Sequence, residues 1–576
     1  MRELLDESYA GNKQFFHSHS LLDELHNLGL EQVIISPGSR STPLVLAAVA
    51  HPAIKTTVII DERSAAFFAL GYARVNRKPI ALICTSGTAA AHYLPAIIES
   101  RLQHLPLIAL TADRPLALRN SGANQTINQD QLFGEHANFC SLNLFDDNSE
   151  SIDVGLQNLC SLLQKGGPLQ CNIHFDKPLE PTHDFFHSIA AEAKANTKEV
   201  SSQIFSYFEQ ESILPRAWQT KIATAERAVF VAGPANDPST YAELYEQLAK
   251  QNIPIIAEQS SGYSLLTNEN TTASHAFTFL GKEQVQQALK PDLILSSGQS
   301  PTHKSTLNWL AMHKDVPQIH FNGFLKDVQN GLLKERFLPI KGKLAYSQNQ
   351  VLNFPKTSGK WIESWKKKER EFSQKKVGLL DKQLKATVTE PSFYYFLTKI
   401  DSSISTWCLG NSLVARDYDL FKYTDKHKKS NQLFTTRGAS GIDGLIAQAA
   451  GTALATKKKV GLIIGDVSFQ HDIGSLDLLA KNPNISLHIY VINNQGGRIF
   501  DRLPIKSFET LLLTYYYTKA AGSVQKLAES FAISYTQITT NKQLVSRLNS
   551  PNLGSHISEI IVDLPLSEMI RNSYQS

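Results

Sequence analysis

Residues 465–497 read GDVSFQHDIGSLDLLAKNPNISLHIYVINNQGG. The apolar run 460–464, just before this stretch, predicts a buried strand that ends ahead of Asp466, and the run 487–492 predicts a second buried strand that ends ahead of Asn494. The residues between the two runs are expected to form a helical crossover, which makes the strands parallel neighbours in one sheet. Asp466 and Asn494 would then lie at the carboxyl edge of that sheet, where doubly wound folds bind ligands.

The polar groups at this edge suit one divalent metal ion that also takes phosphate ligands. The Asp466 carboxylate, the Asn494 amide oxygen and a backbone carbonyl at Gly496 are oxygen donors of the kind that Mg²⁺ prefers. A helix expected to begin near Ser468 offers free backbone N–H groups to the same phosphates. Taken alone, the residues also fit an ordinary strand-end loop followed by an Asn-Asn-Gln-Gly-Gly turn.

Composition narrows the class of protein. The chain has 576 residues, 42% of them hydrophobic, so about three or four domains with full cores are expected. A net charge of +4 is small for this length and argues against nucleic acid as a partner. No apolar run approaches the length of a membrane span or a signal peptide, and five scattered cysteines without CxxC spacing fit a reducing cytoplasm. No histidine cluster has metal-binding spacing, and His17 and His19 are expected to face solvent.

Three blocks of alternating strand-like and helical segments run along the chain. The pattern predicts an α/β protein of three doubly wound domains with mainly parallel sheets. The expected domains are residues 1–188, 205–355 and 380–576. In the first, Glu62 follows an apolar run and opens a helical segment, so it is either a helix-capping carboxylate or a catalytic acid.

Four arginines, Arg40, Arg114, Arg416 and Arg437, lie at predicted strand ends in the first and third blocks. The planar guanidinium group binds carboxylates through two hydrogen bonds, so four of them favour a site for dianions. Each arginine taken singly also fits a surface ion pair.

The motifs taken together resemble one family of thiamin-diphosphate (ThDP) enzymes. Gly-Asp followed one βα unit later by Asn-Asn resembles the ThDP metal–diphosphate motif. Six further segments resemble the MenD family of the menaquinone pathway, in the family's order: SPGSRSTP (36–43), TSGT (85–88), TADRP (111–115), GANQ (122–125), GNS (410–412) and RGASGIDG (437–444). The likeness covers the first and third blocks well and the middle block weakly.

The resemblance implies a transferase that uses ThDP and Mg²⁺, with Mn²⁺ able to substitute. It implies decarboxylation of 2-oxoglutarate and 1,4-addition of the succinyl carbanion to isochorismate. It also implies a homodimer or tetramer in which the cofactor lies between the Glu62 block of one subunit and the metal block of another. The alternatives are another ThDP decarboxylase or carboligase, of the acetolactate-synthase kind, and a ThDP-fold protein that binds a ligand without turnover.

The resemblance also assigns roles to single residues. Glu62 would hydrogen-bond the pyrimidine N1′ of ThDP and so promote removal of the thiazolium C2 proton. Other cofactor contacts are implied for Ser440, Ile442, Asp466, Val467, Ser468, Asn494 and Gly496, with Asp466, Asn494 and Gly496 on the metal and Ile442 holding the cofactor bent. Substrate contacts are implied for Ser39, Arg40, Arg114, Asn124, Gln125, Lys304, Ser412, Arg416, Arg437, Ile499, Phe500 and Leu503. The last three would form an apolar wall, for which plain core packing is the alternative.

Overall fold

The computed structural model describes residues 9–145, 149–195, 216–235, 241–263, 273–321, 357–400, 402–424, 431–519, 522–549 and 554–576. Three parallel sheets with helices between their strands confirm the predicted α/β class. The expected domain limits at 205 and 355 lie outside the described residues, and the division into 1–188, 205–355 and 380–576 stays a prediction. None of the described helices combines the length and the apolar character needed to cross a bilayer.

The first sheet has six parallel strands in the order β2-β1-β3-β4-β6-β5. The strands are β1 (Gln32–Ile35), β2 (Lys55–Val58), β3 (Ile80–Cys84), β4 (Leu107–Asp113), β5 (Asn138–Asn143) and β6 (Leu169–His174). The accompanying helices are α1 (Ala10–Asn27), α2 (Thr42–Ala50), α3 (Glu62–Asn76), α4 (Leu94–Gln103), α5 (Ser149–Gln164) and α6 (His183–Ala195). The central strands β3 and β4 are buried throughout, as parallel strands covered by helices are, and they are apolar except for Thr111 and Asp113 near the end of β4.

The second sheet has four parallel strands in the order β10-β9-β7-β8. The strands are β7 (Ala228–Ala232), β8 (Ile255–Ala257), β9 (Leu293–Ser297) and β10 (Gln318–Phe321). The helices are α7 (Arg216–Thr224), α8 (Ala242–Ala249), α9 (Ala276–Phe279), α10 (Glu283–Ala288), α11 (Lys304–Met312) and α12 (Gly359–Leu380). Trp365 of the charged helix α12 is buried and packs edge-on against Trp309 of α11, and this contact anchors α12 to the second block.

The third sheet has six parallel strands in the order β12-β11-β13-β14-β16-β15. The strands are β11 (Thr406–Leu409), β12 (Gln432–Thr435), β13 (Val460–Gly465), β14 (Leu487–Asn493), β15 (Ser534–Ile538) and β16 (His556–Ile561). The helices are α13 (Glu390–Lys399), α14 (Leu413–Phe421), α15 (Leu445–Thr456), α16 (Asp466–His471), α17 (Leu476–Lys481), α18 (Glu509–Leu511), α19 (Val524–Ser530), α20 (Asn541–Leu548) and α21 (Leu564–Gln575). If the strands of each six-stranded sheet are numbered from the first strand in that sheet, the first and third sheets have the same strand order.

The chain divides into two compact units. Unit 1 comprises Met1–Tyr207, Gly438–Lys458 and Asp472–Ser486, and unit 2 comprises Phe208–Arg437, Lys459–His471 and Leu487–Ser576. Unit 1 therefore contains the first sheet together with α15 and α17, and unit 2 contains the second and third sheets. In unit 1 a large core packs on one face of the first sheet, and in unit 2 a core joins residues of the second and third sheets.

Two sequence expectations are corrected by the fold. His17 and His19 do not face solvent, because both lie in α1 with buried side chains. The helix after Asp466 begins at that residue and not near Ser468, and it is only six residues long.

Candidate active site

The acid predicted for catalysis is the first residue of α3, and its neighbour performs the capping. Asp61 Oδ1 accepts hydrogen bonds from the backbone N–H groups of Arg63 at 2.9 Å and Ser64 at 3.4 Å. Asp61 is therefore the N-cap of α3. Glu62 is half-buried and is not needed as the cap, which removes the main structural alternative for this residue.

Within unit 1, buried polar contacts tie the residues beside Glu62 to other segments. Ser64 Oγ donates to Asp61 Oδ2 and lies 2.9 Å from Ser475 Oγ. Arg63 lies 3.5 Å from the fully buried Asp472, and Asp472 Oδ2 accepts the N–H of Ile446 at 2.7 Å, in the first turn of α15. These contacts hold the start of α3 and the start of α15 in a fixed relation.

Helices α3 and α15 also approach closely at two glycines. A Cβ atom on Gly71 would lie 1.9 Å from the Gln448 carbonyl oxygen, and one on Gly451 would lie 2.0 Å from the Phe68 carbonyl oxygen. Only glycine permits backbones to approach this closely. The helix that begins with Glu62 is thus packed directly on the helix that follows the RGASGIDG loop.

Asp472 makes the stability of this arrangement dependent on pH. Burial raises the pKa of Asp472 from its ordinary 3.8 to about 6, although hydrogen bonds from Ser475 and from the Ile446 N–H favour the ionised form. Because the pKa is higher in the folded state, this contribution to stability is complete below pH 3.8 and is lost as the pH rises through 6. The loss corresponds to about 3 kcal/mol.

We expect Asp472→Asn to remove this dependence, because an amide does not ionise. The free energy of unfolding of the wild type, minus that of the variant, should fall by about 2 kcal/mol between pH 4 and pH 7, because part of the full loss has already occurred at pH 4. Denaturant unfolding at both pH values measures this difference. Asp477→Asn, at an exposed carboxylate of α17, is the control and should show no such trend. A constant difference for Asp472→Asn would contradict the prediction.

The RGASGIDG loop lies beside α3 in the same unit. Ser440 and Ile442 are half-buried, and Ser440 has a left-handed backbone conformation with φ 61°. Gly444 has φ 64°, and a Cβ atom there would lie 2.0 Å from the Phe67 ring. Unit 1 thus brings the loop bearing Ser440 and Ile442 against the helix that starts with Glu62.

Arg40 and Arg114 form the first pair of cations at a sheet edge. Arg40 is buried and its Nη1 donates to the Phe175 carbonyl oxygen at 2.8 Å. Burial, and then repulsion from Arg114, lowers the pKa of Arg40. Arg114 is half-buried and its Nη1 donates to Ser86 Oγ and to the Gln125 carbonyl oxygen at 2.6 Å.

The polar residues predicted beside this pair lie at the surface of unit 1. Ser39, Asn124 and Gln125 are all exposed. Gln125 has φ 56°, and its side-chain Nε2 donates to the Ser86 carbonyl oxygen at 2.9 Å. Gln125 therefore closes the loop around Arg114. Ser39 follows β1, which is two positions from β4, the strand before Arg114, in the sheet order.

In unit 2 the three residues predicted to bind metal converge. Asp466 follows β13 and Asn494 follows the adjacent strand β14, and both are buried. Asp466 Oδ2 accepts the Gly496 N–H at 2.8 Å, and its Oδ1 accepts the Val467 N–H at 2.9 Å. Ser468 is buried in the first turn of α16.

These residues fit a metal ion that carries phosphate ligands. Asp466 is 6% exposed, and burial raises its pKa despite hydrogen bonds from the backbone N–H groups of Val467 and Gly496. Such a carboxylate is stabilised by a cation. Within the described ranges no three His, Cys, Asp or Glu side chains form a metal site, so an ion here needs amide, backbone and phosphate oxygens as well.

The side chains behind Asn494 could not be found from the sequence. Asn494 Nδ2 donates to Glu390 Oε1 at 2.8 Å, so the amide oxygen is the side-chain atom of Asn494 that could bind a metal ion. Arg571 Nη2 donates to Glu390 Oε2 at 3.0 Å and to Asp417 Oδ2 at 2.7 Å. Arg498 Nε donates to the Asn494 carbonyl oxygen at 3.1 Å. These groups fix the orientation of the predicted metal ligand. Glu390, Asp417 and Arg571 are far from Asn494 in the sequence and therefore left no local signal.

Arg416 and Arg437 form a second pair of cations. Arg416 is half-buried and its Nη1 donates to the Ser412 carbonyl oxygen at 2.6 Å. Burial, and then repulsion from Arg437, lowers the pKa of Arg416. Arg437 is half-buried, and its Nε is enclosed without a hydrogen-bond partner among the described residues. Ser412 has φ 69°, a strained conformation for serine.

Arg437 lines a cleft in unit 2 together with residues of the second sheet's block. Thr302 lines the same cleft, and Lys304, two residues later, is exposed at the start of α11. Lys304 is therefore close in sequence to Thr302, which lines the same cleft as Arg437.

The apolar residues predicted as a wall are not core residues. Ile499 and Phe500 are half-buried, and Leu503 is 43% exposed. Phe500 packs edge-on against Tyr516 with ring centroids 4.7 Å apart. The three thus present an apolar surface, which disfavours core packing as their explanation.

The amino-acid sequence is similar to those of known proteins. Residues 17–132 match the family model described as thiamine pyrophosphate enzyme, N-terminal TPP binding domain. The chain is 31% identical to the 2-succinyl-5-enolpyruvyl-6-hydroxy-3-cyclohexene-1-carboxylate synthase of Oceanobacillus iheyensis, over 92% of this chain and 91% of that protein. It is 33% identical to the synthase of the same name from Geobacillus thermodenitrificans, over 93% of this chain and 92% of that protein. The chain therefore belongs to the family of 2-succinyl-5-enolpyruvyl-6-hydroxy-3-cyclohexene-1-carboxylate synthases, within the thiamin-diphosphate enzymes.

Proposed function

We propose that the chain catalyses ThDP- and Mg²⁺-dependent decarboxylation of 2-oxoglutarate and 1,4-addition of the succinyl unit to isochorismate. The products are 2-succinyl-5-enolpyruvyl-6-hydroxy-3-cyclohexene-1-carboxylate and CO₂, in menaquinone biosynthesis. The relatives carry the name of this activity. The observation that carries the proposal is the presence of two arginine pairs, Arg40 with Arg114 and Arg416 with Arg437. In each pair the pKa of one guanidinium group, that of Arg40 or Arg416, is lowered by burial and by repulsion from the other arginine. Dianions relieve such repulsion, and both substrates are dianions.

The residues of the chain divide the work of the reaction. Bound ThDP supplies the electron sink for decarboxylation of a 2-oxo acid. Glu62 would hold and exchange a proton at the pyrimidine N1′ of bound ThDP. Asp466, Asn494 and Gly496 hold Mg²⁺, or Mn²⁺ in its place, and through it the diphosphate. Ser440 and Ile442 orient the pyrimidine end.

Other residues bind the substrates and exclude water. Ser39, Asn124 and Gln125 support Arg40 and Arg114 in this role. Ser412 and Lys304 act beside Arg416 and Arg437. The apolar surface of Ile499, Phe500 and Leu503 lowers the local dielectric constant and so strengthens the electrostatic interactions with bound substrate.

The proposal extends to assembly and location. A homodimer is the minimum unit, with the residues around Glu62 in one subunit and the metal residues Asp466, Asn494 and Gly496 of another on either side of each cofactor. A tetramer contains the same sites. All five cysteines are free thiols, which fits a reducing cytoplasm.

The test mixes the purified protein with ThDP, Mg²⁺ and one 2-oxo acid and measures CO₂. Release from 2-oxoglutarate, together with consumption of added isochorismate, is the expected result. Release from pyruvate in preference to 2-oxoglutarate would replace the proposal with an acetolactate-synthase-like activity. No release from either acid would indicate a protein that binds without turnover.

We expect Arg437→Gln to weaken the binding of one carboxylate substrate. Loss of a hydrogen bond to a charged group costs about 1.5–3 kcal/mol, so KM for 2-oxoglutarate or for isochorismate should rise by about 10- to 100-fold. Steady-state kinetics with each substrate varied in turn measures this change. Arg227→Gln is the control, since Arg227 is 52% exposed and pairs only at 4.0 Å with Asp292. Unchanged KM values for both substrates in Arg437→Gln would remove Arg437 from the site.

A further inference from the structure

The buried carboxylate of Glu99 binds the backbone of the RGASGIDG loop. Glu99 lies in α4 and is 2% exposed. Its Oε1 accepts the N–H of Gly438 at 2.7 Å, and its Oε2 accepts the N–H groups of Ala439 at 2.6 Å and Ser440 at 3.4 Å. One side chain thus collects three consecutive backbone donors from residues 339 to 341 positions later in the chain.

A relay of hydrogen bonds connects Glu99 to the helix of the catalytic acid. Gln103 Nε2 also donates to Glu99 Oε1. Gln103 Oε1 in turn accepts hydrogen bonds from Arg74, at 3.1 Å from Nε and 2.6 Å from Nη2. Arg74 is a buried residue of α3, the helix that begins with Glu62. The path from α3 to the loop is therefore continuous and lies within unit 1.

The contact leaves no space for a side chain at position 438 of the loop. A Cβ atom on Gly438 would lie 2.8 Å from Glu99 Oε1 and 2.8 Å from Leu102 Cβ, so the loop reaches α4 only because this residue is glycine. A buried carboxylate is costly unless hydrogen bonds satisfy it, and the three loop N–H groups and Gln103 provide them. Loop geometry and the burial of Glu99 therefore depend on each other.

We propose that Glu99 is a positioning residue for the cofactor-binding loop. It fixes Gly438, Ala439 and Ser440 relative to α3, and so sets the positions of Ser440 and Ile442 with respect to Glu62. The inference rests on the proposed function, in which these residues orient the pyrimidine of ThDP. A displacement of about 1 Å in such a site is enough to cost about 10²-fold in rate.

The test compares Glu99→Gln with a matched variant of the same helix. Glu99→Gln keeps the size of the side chain but replaces one acceptor oxygen with an NH₂ group that cannot accept a loop N–H. Ser100→Ala is the control, because Ser100 Oγ makes a buried hydrogen bond to the Leu105 carbonyl oxygen at 2.7 Å and does not touch the loop. Gly438→Ala disturbs the same contact from the loop side.

Two measurements are made on each protein. Amide hydrogen–deuterium exchange of residues 438–447 without cofactor should be at least tenfold faster in Glu99→Gln and Gly438→Ala than in the wild type. Exchange of the C2 proton of bound ThDP, with saturating cofactor and Mg²⁺, should be at least tenfold slower in both. Ser100→Ala should match the wild type in both measurements.

The outcomes separate this inference from the proposed function. Wild-type amide exchange in Glu99→Gln would show that Glu99 does not hold the loop. Faster amide exchange with unchanged C2 exchange would leave Glu99 a structural role only, and would overturn the inference while the proposed function stands. A wild-type protein that does not bind ThDP in the presence of Mg²⁺ would overturn the proposed function and this inference with it.

Discussion

Glu62→Gln is expected to slow removal of the C2 proton of bound ThDP by about 10²- to 10⁴-fold, the range typical of general acid–base catalysis. The amide cannot exchange a proton with the pyrimidine N1′, and turnover should fall by a similar factor if this step becomes limiting. The fold should be unaffected, because Asp61 and not Glu62 caps α3. Deuterium exchange at C2, followed by acid quench and NMR, measures the effect together with kcat.

Two comparisons make this result specific to Glu62. Glu31→Gln removes a half-exposed carboxylate that pairs with Lys78, and it should leave C2 exchange unchanged. The affinity of Glu62→Gln for Mg²⁺ should also equal that of the wild type, since the metal residues lie in a different unit. Near-normal turnover in Glu62→Gln would refute the assignment of the acid.

Asp466→Ala is expected to lower the affinity for ThDP in the presence of Mg²⁺ by about 10²-fold or more. Changes to residues that merely support metal ligands cost about 10- to 100-fold, so loss of a ligand itself should cost at least as much. Titration of ThDP at fixed Mg²⁺, followed by tryptophan fluorescence or calorimetry, measures the dissociation constant.

Thermal unfolding supplies a second reading of the same variant. A ligand present at 100 times its dissociation constant stabilises a protein by about 2.7 kcal/mol, so ThDP with Mg²⁺ should raise the melting temperature of the wild type and not that of Asp466→Ala. Glu529→Gln, an exposed carboxylate of α19, should behave as the wild type. Equal stabilisation of Asp466→Ala and wild type by cofactor and metal would exclude Asp466 as a metal ligand.

The interior strands were predictable because buried strands consist mostly of apolar residues. Ile80–Cys84 is apolar along its length and Leu487–Asn493 is apolar except for His488 and Asn493, as is typical of strands covered on both faces. The edge strands β5 (Asn138–Asn143) and β15 (Ser534–Ile538) could not be predicted in this way. Both are partly exposed and rich in polar residues, so neither periodicity nor hydrophobicity distinguishes them from loops.

The chemistry at strand ends was predictable in part. Asp466 and Asn494 follow adjacent strands β13 and β14, as the pattern of apolar runs predicted, and the Gly496 N–H does reach Asp466. The identity of the residue that caps α3 needed the structure, because both Asp61 and Glu62 are carboxylates at a helix start. Only the hydrogen bonds show that Asp61 is the cap.

By itself, the sequence determined which segments are buried strands and which polar residues follow them, because burial and strand ends are local properties of a few consecutive residues. Tertiary structure alone decided that the first and third sheets have the same strand order, that Glu99 binds residues 339 positions later, and that Glu390 and Arg571 orient Asn494. Such pairings depend on how helices and sheets pack against one another, and packing joins residues that have no relation along the chain.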